Sequence, residues 1–231
     1  MTEHEDLAQS QVEYYRARAP EYDEWFLRQG RYDRGPEFKA MWFHEVEQLR
    51  ETLKDHGPRG DVLEFAAGTG LWTEQLVEQA AHVTALDVSP ESLKLNEKRV
   101  GSERVTHVCA DVFDWKPPRI FDGAFFGFWL SHIPPERFDR FWNLVRESLR
   151  PEGRVFFVDS CYEPTSTAAD HRLEGEESVA VTRRLNDGRE FRIVKVFYQP
   201  EALRDCLRDL GWSFEVAETE QFFLYGYGHP I

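Results

Sequence analysis

The sequence contains little cysteine and no long hydrophobic run. Its 231 residues include three cysteines, Cys109, Cys161 and Cys206, which are far apart and form no C-x-x-C pair. An odd number of scattered cysteines excludes a complete framework of intrachain disulfides. No stretch approaches the roughly 18 apolar residues of a membrane span, and residues 1–10 lack the apolar core of a signal peptide. We therefore expect a cytoplasmic protein that neither spans nor binds a membrane.

Basic residues are also under-represented. Lys and Arg number 28 against 42 Asp and Glu, which gives a formal charge of -14. This excess of negative charge opposes non-specific attraction to the phosphates of nucleic acids, so we expect no nucleic-acid partner. A chain with 41% hydrophobic and 14% aromatic residues can still bury a substantial core. The composition therefore predicts one globular domain over residues 1–231.

Three segments with different patterns make up this domain. Residues 1–56 show apolar side chains at three- and four-residue spacing, which predicts helices. The breaker cluster Gly57-Pro58-Arg59-Gly60 then opens residues 57–160, where short apolar runs alternate with helix-like stretches. Such alternation predicts a parallel sheet with helices on both faces. The runs begin at residues 62, 82, 105, 121 and 154, and the helices are expected at 71–78, 92–98 and 135–149.

Residues 161–231 do not follow that alternation. Asn186-Asp187-Gly188 separates the strand-like runs 179–185 and 189–197, which predicts a β-hairpin. An amphipathic helix is expected over 200–210, and a last pair of strand-like runs over 215–227.

The first stretch that carries chemistry follows the strand at residue 62. Small residues, Ala66, Gly68 and Gly70, mark the passage from this strand to a helix and would let a ligand approach the backbone. Three interpretations are open at this point. The loop could bind S-adenosylmethionine (SAM), it could bind a dinucleotide through a G-x-G-x-x-G pattern with Thr73 in third position, or it could be a tight turn.

Three further stretches follow in order. Asp87 and Val88 end the second strand, where a carboxylate can accept hydrogen bonds from two ribose hydroxyls, while Ser89 is free to cap the next helix. Ala110-Asp111-Val112 follows the third strand, and the fourth strand leads into Trp129-Leu130-Ser131-His132. The ordered series resembles class I SAM-dependent methyltransferases. That resemblance implies a Rossmann-like α/β fold with a seven-stranded, mostly parallel sheet, and SAM-contacting residues Glu64, Ala66, Gly68, Gly70, Trp72, Asp87, Val88, Asp111, Val112, Phe126 and Trp129.

The resemblance extends beyond this core. Residues 14–23 look like the N-terminal lid helix of small-molecule methyltransferases, which implies that Tyr15 and Tyr22 contact SAM. Nearly the whole chain resembles the phosphonate O-methyltransferases of dehydrophos biosynthesis, in particular over Asp187-Gly188-Arg189 and residues 191–197. It departs from them in residues 27–38 and 161–177. Both segments could line the acceptor pocket, so the identity of the acceptor does not carry over.

The hairpin carries two cations, and the type of its turn determines whether they lie on the same face. A three-residue loop with Gly188 left-handed places Arg183 and Lys195 on one face, with Val181 and Ile193 between them. A two-residue turn would separate the two cations onto opposite faces. If the two cations share a face, they would hold an anionic acceptor. The alternatives are that this face is exposed to solvent or that the cations pair with Glu176 and Glu177.

His132 lies where the methyl group would travel. It would be a general base for an alcohol or phenol, an orienting group for an oxygen that is already ionised, or a strand-end residue bonded to the backbone. Tyr32 and Tyr22 are candidates for hydrogen bonds to the acceptor, and no metal is required.

These observations predict a SAM-dependent O-methyltransferase for a small anionic metabolite, a phosphonate, phosphate or carboxylate, that releases S-adenosylhomocysteine (SAH). The alternatives are an N- or C-methyltransferase of a small natural product and a non-catalytic protein that binds SAM or a nucleotide.

Overall fold

The computed structural model describes residues 3–171, residue 175 and residues 178–231. Its centre is a seven-stranded sheet with the order β3-β2-β1-β4-β5-β9-β8. The five strands from β3 to β5 are parallel, and β9 runs antiparallel to both β5 and β8. This is the predicted Rossmann-like sheet. Its strands are β1 Gly60–Phe65, β2 Ala80–Asp87, β3 Val105–Cys109, β4 Phe121–Gly127, β5 Leu149–Ser160, β8 Trp212–Glu218 and β9 Phe223–Pro230.

Seven helices belong to the described residues, and they cover both faces of the sheet. Phe125 of β4 points to a cluster that contains Trp42, while the next residue, Phe126, points to the opposite cluster with Trp142. Both faces of the central strands are therefore dry, as a parallel sheet requires. The helices are α1 Glu3–Arg18, α2 Tyr22–Phe26, α3 Pro36–His56, α4 Thr73–Gln79, α5 Pro90–Val100, α6 Phe138–Ser148 and α7 Pro200–Asp209.

Helix boundaries follow from capping chemistry at the second βα junction. The Ser89 side chain accepts a hydrogen bond from the Ser92 N–H at 3.0 Å, and Pro90 occupies the first turn of α5. The carboxylate of Asp87 is thus not needed as the cap. Helix α6 begins three residues later than predicted, because Pro135–Arg137 form a 3₁₀ turn.

The predicted hairpin forms a second sheet of two strands, β6 Ala180–Arg184 and β7 Glu190–Val194. Tyr14 of α1 packs into its apolar face against Val181 and Ile193. The lid helix and the hairpin therefore form one unit above the carboxyl ends of the central strands. None of the helices within the described residues is long and apolar enough to cross a membrane.

Candidate active site

A cleft lies at the carboxyl ends of the parallel strands, below the lid helix. It encloses about 970 Å³, including the solvent space at its mouth. Strands β1, β2 and β4 end here, which is where open α/β sheets bind their ligands. The structure brings ten of the predicted residues together in its wall: Tyr15, Tyr22, Ala66, Gly68, Asp87, Val88, Asp111, Val112, Trp129 and His132.

The loop after β1 presents its backbone to this cleft. Ala66 and Gly68 have left-handed backbones, with φ of +51° and +55°. A Cβ atom built on Gly68 would meet nothing closer than 3.9 Å, so the space beside this residue is open to a ligand. Ala66 holds the same strained conformation with a side chain, which is typical of functional loops.

Asp87 ties this loop to the start of α5. Its two oxygens accept hydrogen bonds from the N–H groups of Gly68 and Ser89, each at 2.8 Å. Burial raises the pKa of Asp87, and these backbone donors lower it. A carboxylate can accept about four hydrogen bonds, so Asp87 keeps the capacity to accept from a ligand.

A second chamber adjoins the cleft, with a volume of about 620 Å³ including solvent space. Tyr15, Tyr22, Phe128 and His132 line both, so the two spaces meet at these side chains. Phe128 has a left-handed backbone with φ of +55° at this junction. The remaining predicted site residues of the chamber are Tyr32, Arg183 and Lys195, and Arg18 of the lid helix joins them.

The hairpin has the predicted three-residue turn. The Leu185 N–H donates to the Arg189 carbonyl at 2.9 Å, Gly188 has φ of +90°, and Arg183 lies opposite Phe191. Arg183 and Lys195 therefore share a face, as predicted, and both line the chamber. Glu176 and Glu177, the alternative partners for these cations, lie outside the described residues.

Lys195 has an anionic partner within the chain. Its Nζ lies 3.2 Å from Oδ1 of Asp159 and donates to the Ser131 hydroxyl at 2.7 Å. Asp159 in turn accepts a hydrogen bond from the Ser131 N–H at 2.9 Å. Sequence reasoning missed Asp159, although it stands near the end of β5 at the same edge of the sheet as Asp87.

Neither arginine of the chamber has a carboxylate partner within the part of the chain that the structure describes. Nη1 of Arg183 is buried and makes no hydrogen bond within the described part of the chain. Arg18 lies over the rings of Tyr14 and Tyr22, 5.5 and 4.9 Å from their centres. No carboxylate lines the chamber along residues 3–171 and 178–231. Among the described residues, these three cations and the Asp159 carboxylate beside Lys195 sum to a charge of +2.

Comparisons with known proteins bear on this site. A methyltransferase-domain family matches residues 62–153. Two solved structures of DhpI match the chain over its length. A complex of DhpI with SAM and HEP shows 41% identity, a TM-score of 0.81 and full coverage of both chains. An SAH complex of DhpI shows 42% identity and a TM-score of 0.77, with 99% and 98% coverage.

The chain belongs to the class I SAM-dependent methyltransferases. An uncharacterized methyltransferase of Staphylococcus carnosus is 24% identical over 91% of this chain and 95% of its own length. Phosphoethanolamine N-methyltransferase 1 of Triticum aestivum is 31% identical over 44% of this chain, and the match spans about a fifth (21%) of that enzyme.

His132 of this methyltransferase is held as a neutral hydrogen-bond acceptor. Its Nδ1 lies 2.7 Å from the Val194 carbonyl, so Nδ1 carries the proton and Nε2 has a free lone pair. Burial and the Lys195 ammonium lower the pKa of His132 to about 3. The ring of Tyr15 packs edge-on against it.

Gln11 fastens the lid helix of the methyltransferase above His132. Its side-chain amide donates to the His132 carbonyl at 2.9 Å and accepts from the Val194 N–H at 3.0 Å. Gln11 also lines the cleft. The lid, the hairpin and His132 are thereby fixed to one another, a role that the sequence analysis did not assign to Gln11.

Two predicted SAM contacts need correction. Phe126 lies in the core against Phe141 and Phe157 and lines neither the cleft nor the chamber. Gly70 also lines neither space. A Cβ atom there would come within 2.9 Å of Asn96, so this glycine allows α5 to pack against the loop.

Glu64 and Trp72 line a small cavity beside the cleft, together with Tyr22 and Gly68. Burial raises the pKa of Glu64 to about 8, and the Thr73 hydroxyl donates to its carboxyl at 2.6 Å. As for metals, no cluster of three His, Cys, Asp or Glu side chains suited to an ion occurs in the described ranges.

Proposed function

We propose that this methyltransferase transfers the methyl group of SAM to an ionised oxygen of a small acceptor that carries two negative charges. The observation that carries the proposal is the excess of positive charge among the described residues of the chamber beside the cleft. Lys195 is buried and the two arginines are half-buried. Cations withdrawn from water without matching anions lose hydration and repel one another. A dianionic phosphonate or phosphate would offset both costs.

The residues of the cleft fit SAM. The Asp87 carboxylate would accept the ribose hydroxyls, and Asp111 with the N–H of Val112 would face the adenine edge. Val112 and Trp129 would offer apolar surface to the adenine ring. Tyr15 and Tyr22 would cover the methionyl end of SAM. When bound, SAM supplies a methyl group activated by its positively charged sulfur.

Arg18, Arg183 and Lys195 would hold the acceptor. Burial and the charges of Arg183 and Arg18 lower the pKa of Lys195, which Asp159 raises, so the cations act on one another. Guanidinium groups bind phosphonate oxygens through paired hydrogen bonds. Tyr32 would add a hydroxyl to the same group.

The state of His132 favours an acceptor oxygen that is already ionised. A base whose conjugate acid has a pKa of about 3 removes a proton from an alcohol poorly at neutral pH. A phosphonate, phosphate or carboxylate needs no base. His132 would then orient the acceptor, because its Nε2 atom can accept a hydrogen bond from a neutral donor group of the acceptor. Trp25 and Phe128 would exclude water from the path of the methyl group.

Turnover of a matched set of acceptors tests the proposal. Ethylphosphonate, propionate, 1-propanol and 2-aminoethylphosphonate differ mainly in charge and nucleophile, and mass spectrometry identifies the methylated atom. We expect kcat/KM for ethylphosphonate to exceed that for propionate by about tenfold or more, with no turnover of propanol. The methyl group should lie on oxygen. Equal turnover of propanol, or methylation of the amine alone, would contradict the proposal.

A further inference from the structure

Arg28 is a buried arginine with no carboxylate partner among the residues that the structure describes. Its side chain is fully buried just after α2, and its backbone is left-handed with φ of +52°. Nη1 and Nη2 both donate to the Ser166 carbonyl at 2.9 Å, and Cζ lies 4.2 Å from the centre of the Trp42 ring. Burial lowers the pKa of Arg28 to about 10, which leaves it charged at neutral pH.

Two features of Arg28 oppose folding. A buried cation that bonds only to carbonyl groups loses its hydration without gaining an ion pair. A left-handed backbone is also strained for a residue with a side chain, and such strain concentrates at functional sites. An apolar residue would suit the interior better, so the contacts that Arg28 makes require an explanation.

These contacts hold a short segment, residues 163–167, that we call the strap. The Ser166 carbonyl of the strap accepts a third hydrogen bond from Nε1 of Trp25 at 3.0 Å. Ser166 and Thr167 line the acceptor chamber, as does Trp25. Arg28 and Trp25 thus fix a part of the chamber wall that belongs to no strand or α-helix.

We propose that Arg28 is a positioning residue that fixes the strap in the wall of the acceptor chamber and thereby determines which acceptors fit. The role in acceptor choice rests on the function proposed above. Arg28 and the strap belong to segments 27–38 and 161–177, which the sequence analysis named as candidates for the lining of the acceptor pocket. The planar guanidinium can stack on Trp42 while it donates twice to Ser166, which a lysine ammonium cannot do.

Arg28→Met provides the main test, since it removes a buried cation without creating an unpaired anion. We expect its melting temperature to equal or exceed that of the wild type. In the SAH-loaded protein, amide hydrogen exchange in residues 163–169 should be at least about tenfold faster, with the central strands unchanged. The KM for ethylphosphonate should rise at least about fivefold, while the Kd for SAH stays within about twofold. The ratio of kcat/KM for the bulkier benzylphosphonate to kcat/KM for ethylphosphonate should rise.

Two further variants separate positioning from general stability. Arg28→Lys keeps the charge and should fail to restore the acceptor KM. Arg208→Met makes the same change as Arg28→Met at an exposed arginine of α7, which pairs with Asp205, and should match the wild type in every measurement.

Unchanged exchange in the strap of Arg28→Met would overturn the proposal, as would faster exchange in all strands together with a lower melting temperature. Hydrogen exchange needs no acceptor, so it decides whether Arg28 holds the strap even if no phosphonate is methylated. Failure of the proposed function would appear separately, as a wild-type enzyme inactive towards every phosphonate.

Discussion

Removing the cation of the buried Lys195–Asp159 pair should destabilise the fold strongly. The side chains are 7% and 1% exposed, and their charged atoms lie 3.2 Å apart. Lys195→Met preserves most of the apolar volume but leaves the Asp159 carboxylate buried without its counterion. The N–H groups of Ser131 and Ser160, at 2.9 and 2.8 Å, would remain as its donors.

The expected loss is about 3 to 5 kcal/mol, the usual effect of removing one member of a buried ion pair. For a chain of this size, that corresponds to a fall in Tm of roughly 6 to 20 °C. The double variant Lys195→Met/Asp159→Asn removes both charges and should recover most of the loss. Arg183→Met leaves no carboxylate of the described residues without a counterion, so its unfolding free energy should change by less than about 1 kcal/mol.

Urea unfolding of the wild type, Lys195→Met, Asp159→Asn and the double variant at neutral pH, followed by tryptophan fluorescence, measures the four free energies of the double-mutant cycle. If Lys195→Met were as stable as the wild type, or the double variant as unstable as Lys195→Met, the ion pair would not support the fold. Lys195 would then be free to serve the acceptor alone.

Three other variants test individual residues. Asp87→Ala should weaken SAH binding in calorimetry by about tenfold or more, because two ribose hydroxyls lose a charged acceptor; unchanged affinity would remove Asp87 from the site. Arg183→Lys should leave the acceptor KM raised and SAH affinity intact, since lysine lacks the paired donors; wild-type kinetics would exclude bidentate binding. The pKa of His132 is about 3 in the folded chain, against 6.5 for an ordinary histidine. As the pH falls below 6.5, the unfolded chain therefore binds a proton at this histidine that the folded chain does not bind. The fold loses stability as the pH falls from about 6.5 towards 3. Between neutral pH and about pH 5 the wild type should therefore lose stability faster than His132→Gln, by up to about 1.4 kcal/mol per pH unit, and parallel curves in urea unfolding would contradict this.

The sequence predicted the fold well because its signals are local. The Asn186-Asp187-Gly188 turn determined the hairpin register, and with it the shared face of Arg183 and Lys195. Phe126 was assigned wrongly for a physical reason. Both faces of β4 are buried, so the alternation of side chains that separates a core face from a ligand face is absent there.

The missed residues depend on contacts between distant segments. Tyr14, Arg18 and Tyr22 recur at four-residue spacing, a signal that could have placed Arg18 on one face with two tyrosines. Asp159 follows a strand in the same manner as Asp87, so the rule that identified Asp87 could have identified it too. Arg28 offers no such signal, because the carbonyl groups that accept its hydrogen bonds lie more than 130 residues away.

Calorimetric titration of the SAH-loaded protein with ethylphosphonate measures most directly whether the chamber beside the cleft holds a dianion. We expect one equivalent to bind, about tenfold or more tightly than propionate, with the affinity rising as the phosphonate loses its second proton. Arg18→Met and Arg183→Met should each weaken this binding. Equal affinity for propionate and ethylphosphonate, or binding that survives both substitutions unchanged, would contradict a chamber built for an anionic acceptor.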